Sequence, residues 1–523
     1  MTVSWPESIT LQSASAIVLT SIVIYIAKHL GTFLRKARIY RKYCISHTSF
    51  AIEAGQGKYK WLEDPFSWSR NYWLCRHEAV KHVFSRQSIH ETDHRAGFDW
   101  FHYAGWEIPT MDPKYKHVVR DADQTVHNKL AKSKLVTLLS TVEKIARSEI
   151  DRIKTAVGVD GQVVSLHSLM YRLAYKVNCT GIFGPDMDAA STRVILQTFT
   201  ETMSVMFNSF NWPLPVWLSL RLVPGARQTA KARQALYEEL MKWYQEGGVV
   251  KASDELKAIV EVFERNGSPA DVSSKFLNMM MLAFLTNTPE SLAWLFDYLV
   301  QAPELLKKVR SEVDALESSE ALVNTNFRAA TPYLYSALFE TFRLYVFTGT
   351  PATVIRPCKL PGMGDHVFQP GDILHSMQEA CAMDAEVLGD DVQYWKGHRF
   401  VGEGEGLLKF DLTFGIGRSP CPGRNFAIAE LCMLAARLIK EFDFSEPQIT
   451  EKLALTDADF EVGAPVQPGR AEIIDVDGSI ISVLHPGHNS DSGMPGMTAV
   501  KTPRYDFACR LTVRQDQAGK VVS

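Results

Sequence analysis

Apolar residues recur every three or four positions along much of this chain, the spacing that lays one face of a helix against a core. Leu130, Leu135, Leu138, Leu139, Val142, Ile145 and Ile150 form such a stripe and predict a helical block from about Asp121 to Thr155. Further helices are expected over Glu78 to Phe84, Leu166 to Ile182, Ser191 to Asn208, Ala226 to Gly247, Glu255 to Glu264 and Pro332 to Tyr345, and from the turn around Cys421 to about Phe442. Phe276 to Leu299 is apolar almost throughout but is broken by Thr286-Asn287-Thr288-Pro289. A proline there frees a carbonyl of the preceding turn, so a local distortion is expected. Alternation of period two marks a strand in Pro503 to Arg514, and short strands are read over Ser49 to Trp61. The chain is therefore mainly α with a smaller β region, without internal repeats.

Two stretches have hydrophobic patterns of a different kind. Ile9 to Ala27 is uncharged and about 20 residues long, enough to span a bilayer as a helix. Lys28, Arg35, Lys36, Arg38, Arg41 and Lys42 follow it while only Glu7 precedes it, which places its C-terminal side in the cytosol. With no small-residue cleavage site, residues 1–30 are read as an uncleaved single-pass anchor and 31–523 as one folded domain. His94 to Trp106 is a glycine-bearing loop crowded with aromatics, suited to lining an apolar ligand site or to packing over the core. Phe210 to Leu218 joins prolines to tryptophans and leucines, as a tip dipping into a membrane interface or as core.

Composition narrows the classes. At 46% hydrophobic and 22% charged residues the chain is globular, and a net charge of −3 gives no case for nucleic-acid binding. The eight cysteines lack paired spacings, which fits a reducing compartment better than a disulfide framework. His77 and His82 are five apart, not four, so they turn away from a common face and are read as part of a solvated helix, not a zinc pair.

The strongest chemical signal is Phe414-Gly415-Ile416-Gly417-Arg418-Ser419-Pro420-Cys421-Pro422-Gly423-Arg424. One cysteine sits in a turn that opens directly into an amphipathic helix. A thiolate there is stabilised by the positive helix end and by N–H groups left unpaired in the first turn. Gly417 and Gly423 let the backbone approach something flat, and Phe414 can lie beside the sulfur. The plainer reading is a buried free cysteine. Separately, Glu340 and Arg343 are three apart and share a helix face.

Phe414-x-x-Gly417-x-x-x-Cys421-x-Gly423, with Ala427 four residues past the last glycine, resembles the haem-ligand loop of the cytochrome P-450 family. The resemblance extends over essentially everything after the anchor. It implies a cytochrome P-450 fold holding haem b, with Cys421 as the axial ligand of the iron and Phe414, Gly417 and Gly423 shaping the cofactor site. It also implies that Glu340, Arg343 and Arg399 form a network bracing that loop, with Gly397 where the family usually has proline. His127 and Lys129 stand nearest the usual propionate contacts, Arg356 is a further candidate, and Ser419 replaces a commonly basic residue. Thr348 to Thr353 should enter the pocket, as should a turn at Gly493 to Ala499. The segment Asp457 to Leu484 is longer than usual and acquires no role.

In the family an acid followed by an alcohol relays protons at the helix break. Here Asn287 aligns with the acid and Thr288 with the alcohol, and an asparagine orients water or substrate without ionising. Asn287, the following proline and Trp294 are similar to the steroid 7-alpha-hydroxylase and prostacyclin-synthase branch. The implied activity is oxidation of a lipophilic small molecule, steroid- or terpenoid-like or another secondary metabolite, with O2 and electrons from NADPH. The electrons would come through a separate NADPH-cytochrome P-450 reductase at the endoplasmic reticulum membrane, since no flavin or nicotinamide fingerprint is present. The alternatives are a redox-neutral haem-thiolate isomerase or lyase acting on a peroxide or epoxide, and a non-catalytic haem-binding sensor or carrier.

Overall fold

The computed structural model describes residues 34–39, 47–63, 70–93, 114–189, 191–196, 226–316, 326–347, 351–453, 460–487 and 503–515, with 20, 30, 198, 322–323 and 499–500. The aromatic loop at 94–106, the 210–218 segment, positions 348–350 and the 493–498 turn lie outside them, as does almost all of the Ile9 to Ala27 run. Among the described residues no helix is long and apolar enough to cross a membrane.

The first difference from the sequence reading is at its start. His47–Gly55 is a helix, α1, not strand, because Phe50, Ala51 and Ala54 are buried at helical spacing. Strand β1 begins only at Trp61–Glu63 and pairs antiparallel with β2, Asn71–Leu74. Helix α2, His77–Phe84, is half-buried and not a solvated helix. Its His77 Nε2 meets the Phe410 carbonyl at 2.9 Å, and burial, helped by the Lys81 charge, pushes its pKa down to about 4. His82 instead faces Glu91 at 3.0 Å.

The predicted 121–155 block is two helices, α3 (Lys116–Lys129) and α4 (Val136–Val157). Leu130 and Leu135 are five residues apart, which one straight helix would turn away from each other; the turn between α3 and α4 lets both bury. Helix α5, Leu166–Asn178, ends in a single π turn, Cys179–Phe183. Then come α6 (Ala226–Gln245), α7 (Asp254–Arg265), α8 (Ala270–Leu285), α9 (Asn287–Leu299), α10 (Pro303–Asp314) and α11 (Pro332–Tyr345), with α12 (Arg424–Glu441) following the cysteine turn. The expected break falls at Thr286, whose Oγ1 donates to the Leu282 carbonyl at 2.8 Å.

Helix α9 is the spine: Thr288 to Leu299 are all buried, and it packs against α5, α11 and α12. Trp294, fully buried, stacks on Tyr345 with ring centres 3.8 Å apart. Beside the helices lies a five-stranded sheet in which β1 and β2 continue through β5 (Ile373–Ser376) and β4 (Pro351–Val354) to β3 (Thr92–Asp93). In this sheet only the β2–β5 pair is parallel. The C-terminal strand, Asp506–Val513, sits between Phe442–Thr450 and Gln162–Ser165.

The 457–484 segment has a structural account. It carries a hairpin of Gly469–Ile474 and Ile480–His485 whose turn residue Asp475 caps α10, accepting the N–H groups of Glu304 and Leu305 at 3.1 and 2.9 Å. Gln301 and the Leu484 backbone exchange two hydrogen bonds at 3.0 and 2.8 Å. The hairpin thereby straps the α9–α10 corner. Asp475→Ala should lower stability by about 1–2 kcal/mol, the cost of a lost helix cap, read as a shift in the urea unfolding midpoint.

Candidate active site

Helix α11 presents Ser336, Glu340 and Arg343 along one face, and a long irregular segment is threaded onto them. Arg343 Nε and Nη2 donate to the Glu340 carboxylate at 2.8 and 2.7 Å, and Arg399 Nε reaches both its oxygens at 3.0 Å. The remaining donors of Arg343 go to the carbonyls of Ala382, Val392 and Tyr394. Those of Arg399 go to the carbonyls of Leu388, Asp391 and Tyr394 and to the Asp391 carboxylate. Each guanidinium thus uses all five of its N–H groups. Glu340 is wholly buried, which alone would raise its pKa; Arg343 and Arg399 together hold it below the ordinary 4.5. Phe400 N–H donates to Ser336 Oγ at 2.9 Å and completes the attachment. Gly397, in place of the family's proline, is where Leu305 and Trp395 crowd in: an added Cβ would lie 2.4 and 2.5 Å from them.

This brace leads into the cysteine loop. Phe414 packs edge-on against Phe342 of α11, with ring centres 5.4 Å apart. The loop is a tight hairpin in which Cys421 N–H donates to the Phe414 carbonyl at 2.7 Å. Its far side is tied to the end of α2: Arg418 N–H donates to the Phe84 carbonyl at 2.8 Å, and the Arg418 guanidinium bonds Val83, Ser88 and Thr92. Gly417 has φ +60°, and a Cβ there would sit 2.1 Å from the Phe84 carbonyl oxygen, so only glycine closes this seam.

Cys421 is exposed at the start of α12. Protein packed around the loop pushes the thiol pKa up, while the Gly423 and Arg424 N–H groups and the Arg424 charge pull it back. Metal coordination deprotonates a thiol outright. The nearest atom to a Cβ added at Gly423 is the Cys421 sulfur, at 3.8 Å, so glycine there leaves the space beside the sulfur clear. An exposed sulfur, N–H groups directed at it and a clear flank fit a flat metal-bearing group bound through that sulfur.

Helices α8 and α9 meet α12 in register. Phe284 touches Phe426, ring centres 5.8 Å apart, and one turn later Thr288 Oγ1 donates to Glu430 Oε2 at 3.3 Å. That face is therefore occupied by α12. Asn287 lies on the neighbouring face with Ala283, four residues before it, and Ala283 is exposed although Met281, Leu282 and Leu285 are buried. Of the two candidate polar residues, Asn287 is on the open side and Thr288 is turned into the helix contact.

The other candidates are not gathered in the same way. Arg356 is exposed just beyond β4. His127 is half-exposed, 3.9 Å from Asp123, and Lys129 lines a small apolar cavity with Val126, Leu130, Met280 and Phe284. Glu430 and Asn178 were missed by the sequence reading. The available signal was a carboxylate inside the otherwise apolar stripe of α12.

Residues 66–471 match the family described as Cytochrome P450. An isoflavone 2'-hydroxylase of Medicago truncatula is 31% identical over 34% of this chain and 35% of its own length. A self-sufficient cytochrome P450 monooxygenase of Exserohilum turcicum is 28% identical over 50% of this chain and 24% of its own length. The chain thus spans about a third and a quarter of these two curated relatives. The crystal structure of a cytochrome P450 superposes with a TM-score of 0.62 over 90% of this chain and 98% of that one at 15% identity, a likeness of fold.

Two substitutions test the construction of the loop and its brace. Glu340→Gln strands two buried arginines and should cost about 3–5 kcal/mol, with most haem lost on purification, measured by thermal unfolding and the haem-to-protein ratio. Gly417→Ala should lower haem content while leaving far-ultraviolet circular dichroism unchanged.

Proposed function

The chain belongs to the cytochrome P450 family, whose members bind haem b through a cysteine thiolate, and from that premise we propose that it is a monooxygenase of lipophilic small molecules with Cys421 as the iron ligand. The observation that carries the assignment is the exposed Cys421 sulfur at the head of α12, with Gly423 leaving its flank clear. Bound there, the haem supplies reductive activation of dioxygen.

The chain's own residues divide the remaining work. Glu340, Arg343 and Arg399 hold the loop so that the sulfur keeps one position. Phe414 shields the sulfur's side of the loop, with the Arg424 guanidinium 5.7 Å over its ring. Asn287 faces the open side of the helix break and orients water or substrate by hydrogen bonding; it carries no titrating proton. Arg356, His127 and Lys129 are the candidate cations for the propionates. Electrons come from NADPH through a separate reductase, and the Ile9 to Ala27 run anchors the domain on the cytosolic side of the endoplasmic reticulum membrane. The names of the relatives, an isoflavone hydroxylase and a monooxygenase, support oxidation of a lipophilic small molecule.

Asn287 with Thr288 and Pro289 favours one other reading. Replacement of the ionisable residue at the break suits a redox-neutral isomerase of the kind found in the prostacyclin-synthase branch, acting on a peroxide or epoxide.

Three measurements decide among these. The reduced, carbon-monoxide-treated protein should show the red-shifted band of a thiolate-ligated haem, absent in Cys421→Ala. Product formation from a lipophilic ligand found by haem spectral shift should require NADPH and reductase; turnover without them would establish the isomerase. Asn287→Ala should lower product per NADPH about tenfold, equivalent to about 1.4 kcal/mol of lost orientation.

A further inference from the structure

The contact between α9 and α12 contains more polar chemistry than packing two helices requires. Thr288, Glu430 and Asn178 are 5%, 1% and 0% exposed. Asn178 is the last residue of α5 before its π turn, a feature that often marks functional positions. Its Nδ2 donates to the Phe284 carbonyl at 3.3 Å, in the turn just before the break at Thr286. Asn178 also hydrogen-bonds Glu430, which accepts from Thr288 two residues beyond the break. One carboxyl therefore holds both sides of the interruption in α8–α9, directly on one side and through an amide on the other.

The protonation of this group follows from its partners. Burial raises the Glu430 pKa to about 8, opposed only by the hydrogen bonds of Asn178 and Thr288. Glu430 Oε1 and Asn178 Oδ1 are both buried acceptors without a donor when Glu430 is a carboxylate. A proton on Glu430 converts one of them to a donor and relieves the mismatch. Burial without a cationic partner therefore favours the carboxylic acid.

We propose that Glu430 is a positioning residue of the active site: it fixes the break at Thr286 through Thr288 and through the Asn178–Phe284 link, and so sets the direction in which Asn287 faces the pocket. The proposal rests on the reading of Asn287 as the residue that meets water or substrate. Phe284 and Thr288 are committed to α12, so any rotation of α9 about its axis swings Asn287 out of the face it shares with Ala283.

The test uses the haem-loaded full chain with Glu430→Gln, Glu430→Leu and Thr288→Val. The last removes the same hydrogen bond without touching α12, and decides the matter if Glu430→Leu does not load haem. Each protein is measured for its carbon-monoxide band, for imidazole binding to the ferric form and for amide exchange over residues 282–290. The leucine and valine variants should keep the thiolate-type band, exchange these amides about tenfold faster and change imidazole affinity by about fivefold or more, the weight of one net hydrogen bond. Glu430→Gln should stay within about twofold of wild type.

A pH series separates positioning from packing. Because the folded pKa lies above the ordinary 4.5, the folded protein holds this proton more tightly than the unfolded chain. The wild type should lose stability relative to Glu430→Gln as pH rises from 4.5 to about 8, and no further above it. Expressed per neutral imidazole, its affinity should change near pH 8 while that of the glutamine variant stays flat. Loaded leucine and valine variants with wild-type exchange and imidazole binding overturn the proposal, as does a glutamine variant as disturbed as the leucine one. Loss of the thiolate band in the wild type would instead remove the haem assignment, leaving the exchange comparison to judge Glu430 by itself.

Discussion

One buried carboxylate organises the half of the molecule that holds the cysteine. Glu340 has no exposed surface, and an isolated charge in that position would be untenable. Two arginines make it tenable, but their own ten N–H donors must then all find acceptors. Besides the carboxylates of Glu340 and Asp391, those acceptors are backbone carbonyls of residues 382–394, a stretch with little regular structure of its own. A demand for electrostatic compensation inside α11 is thereby converted into a defined path for an otherwise irregular segment. The cysteine loop begins where that path ends, and Phe342 against Phe414 transmits its position.

The contact of α9 with α12 depends on a second buried glutamate with the opposite electrostatics. Glu340 has cationic partners and stays ionised, so its contribution to stability is present above pH 4.5 and is lost as pH falls through its depressed folded pKa. Glu430 has only neutral partners, an amide and a hydroxyl, and burial decides its state. The first defines a position by charge and saturated geometry; the second joins three helices by shared neutral hydrogen bonds. Helix α9 packs against both α11 and α12. The break at Thr286 is flanked by links to α12 through Thr288–Glu430 and to α5 through Asn178–Phe284.

Much of this was readable along the chain because it depends on local spacing. The ends of α11, the interruption of the 276–299 helix and the turn around Cys421 follow from proline, glycine and apolar periodicity, all properties of neighbouring residues. The misreadings have equally local causes. Phe50, Ala51 and Ala54 read as strand from the sequence because a short apolar run has little periodicity to count. His77 reads as solvent-facing because a polar side chain at a helix start usually is, whereas the distant Phe410 carbonyl gives its buried ring a partner.

The amino-acid sequence by itself determined where the cysteine turn sits, which helix carries the polar interruption and which acid and base share a face of α11. Each of these is a residue type at a fixed offset. Only the tertiary structure decided which face of the interruption is open. Asn287 and Thr288 are adjacent and chemically similar, and their separation into an open side and a buried contact is imposed by Phe426 and Glu430, roughly 140 residues away along the chain. The same holds for the protonation of Glu430. A carboxylate in a helix stripe has an ordinary pKa until the chain surrounds it, and the surroundings come from α5 and α9, which no local pattern in α12 specifies.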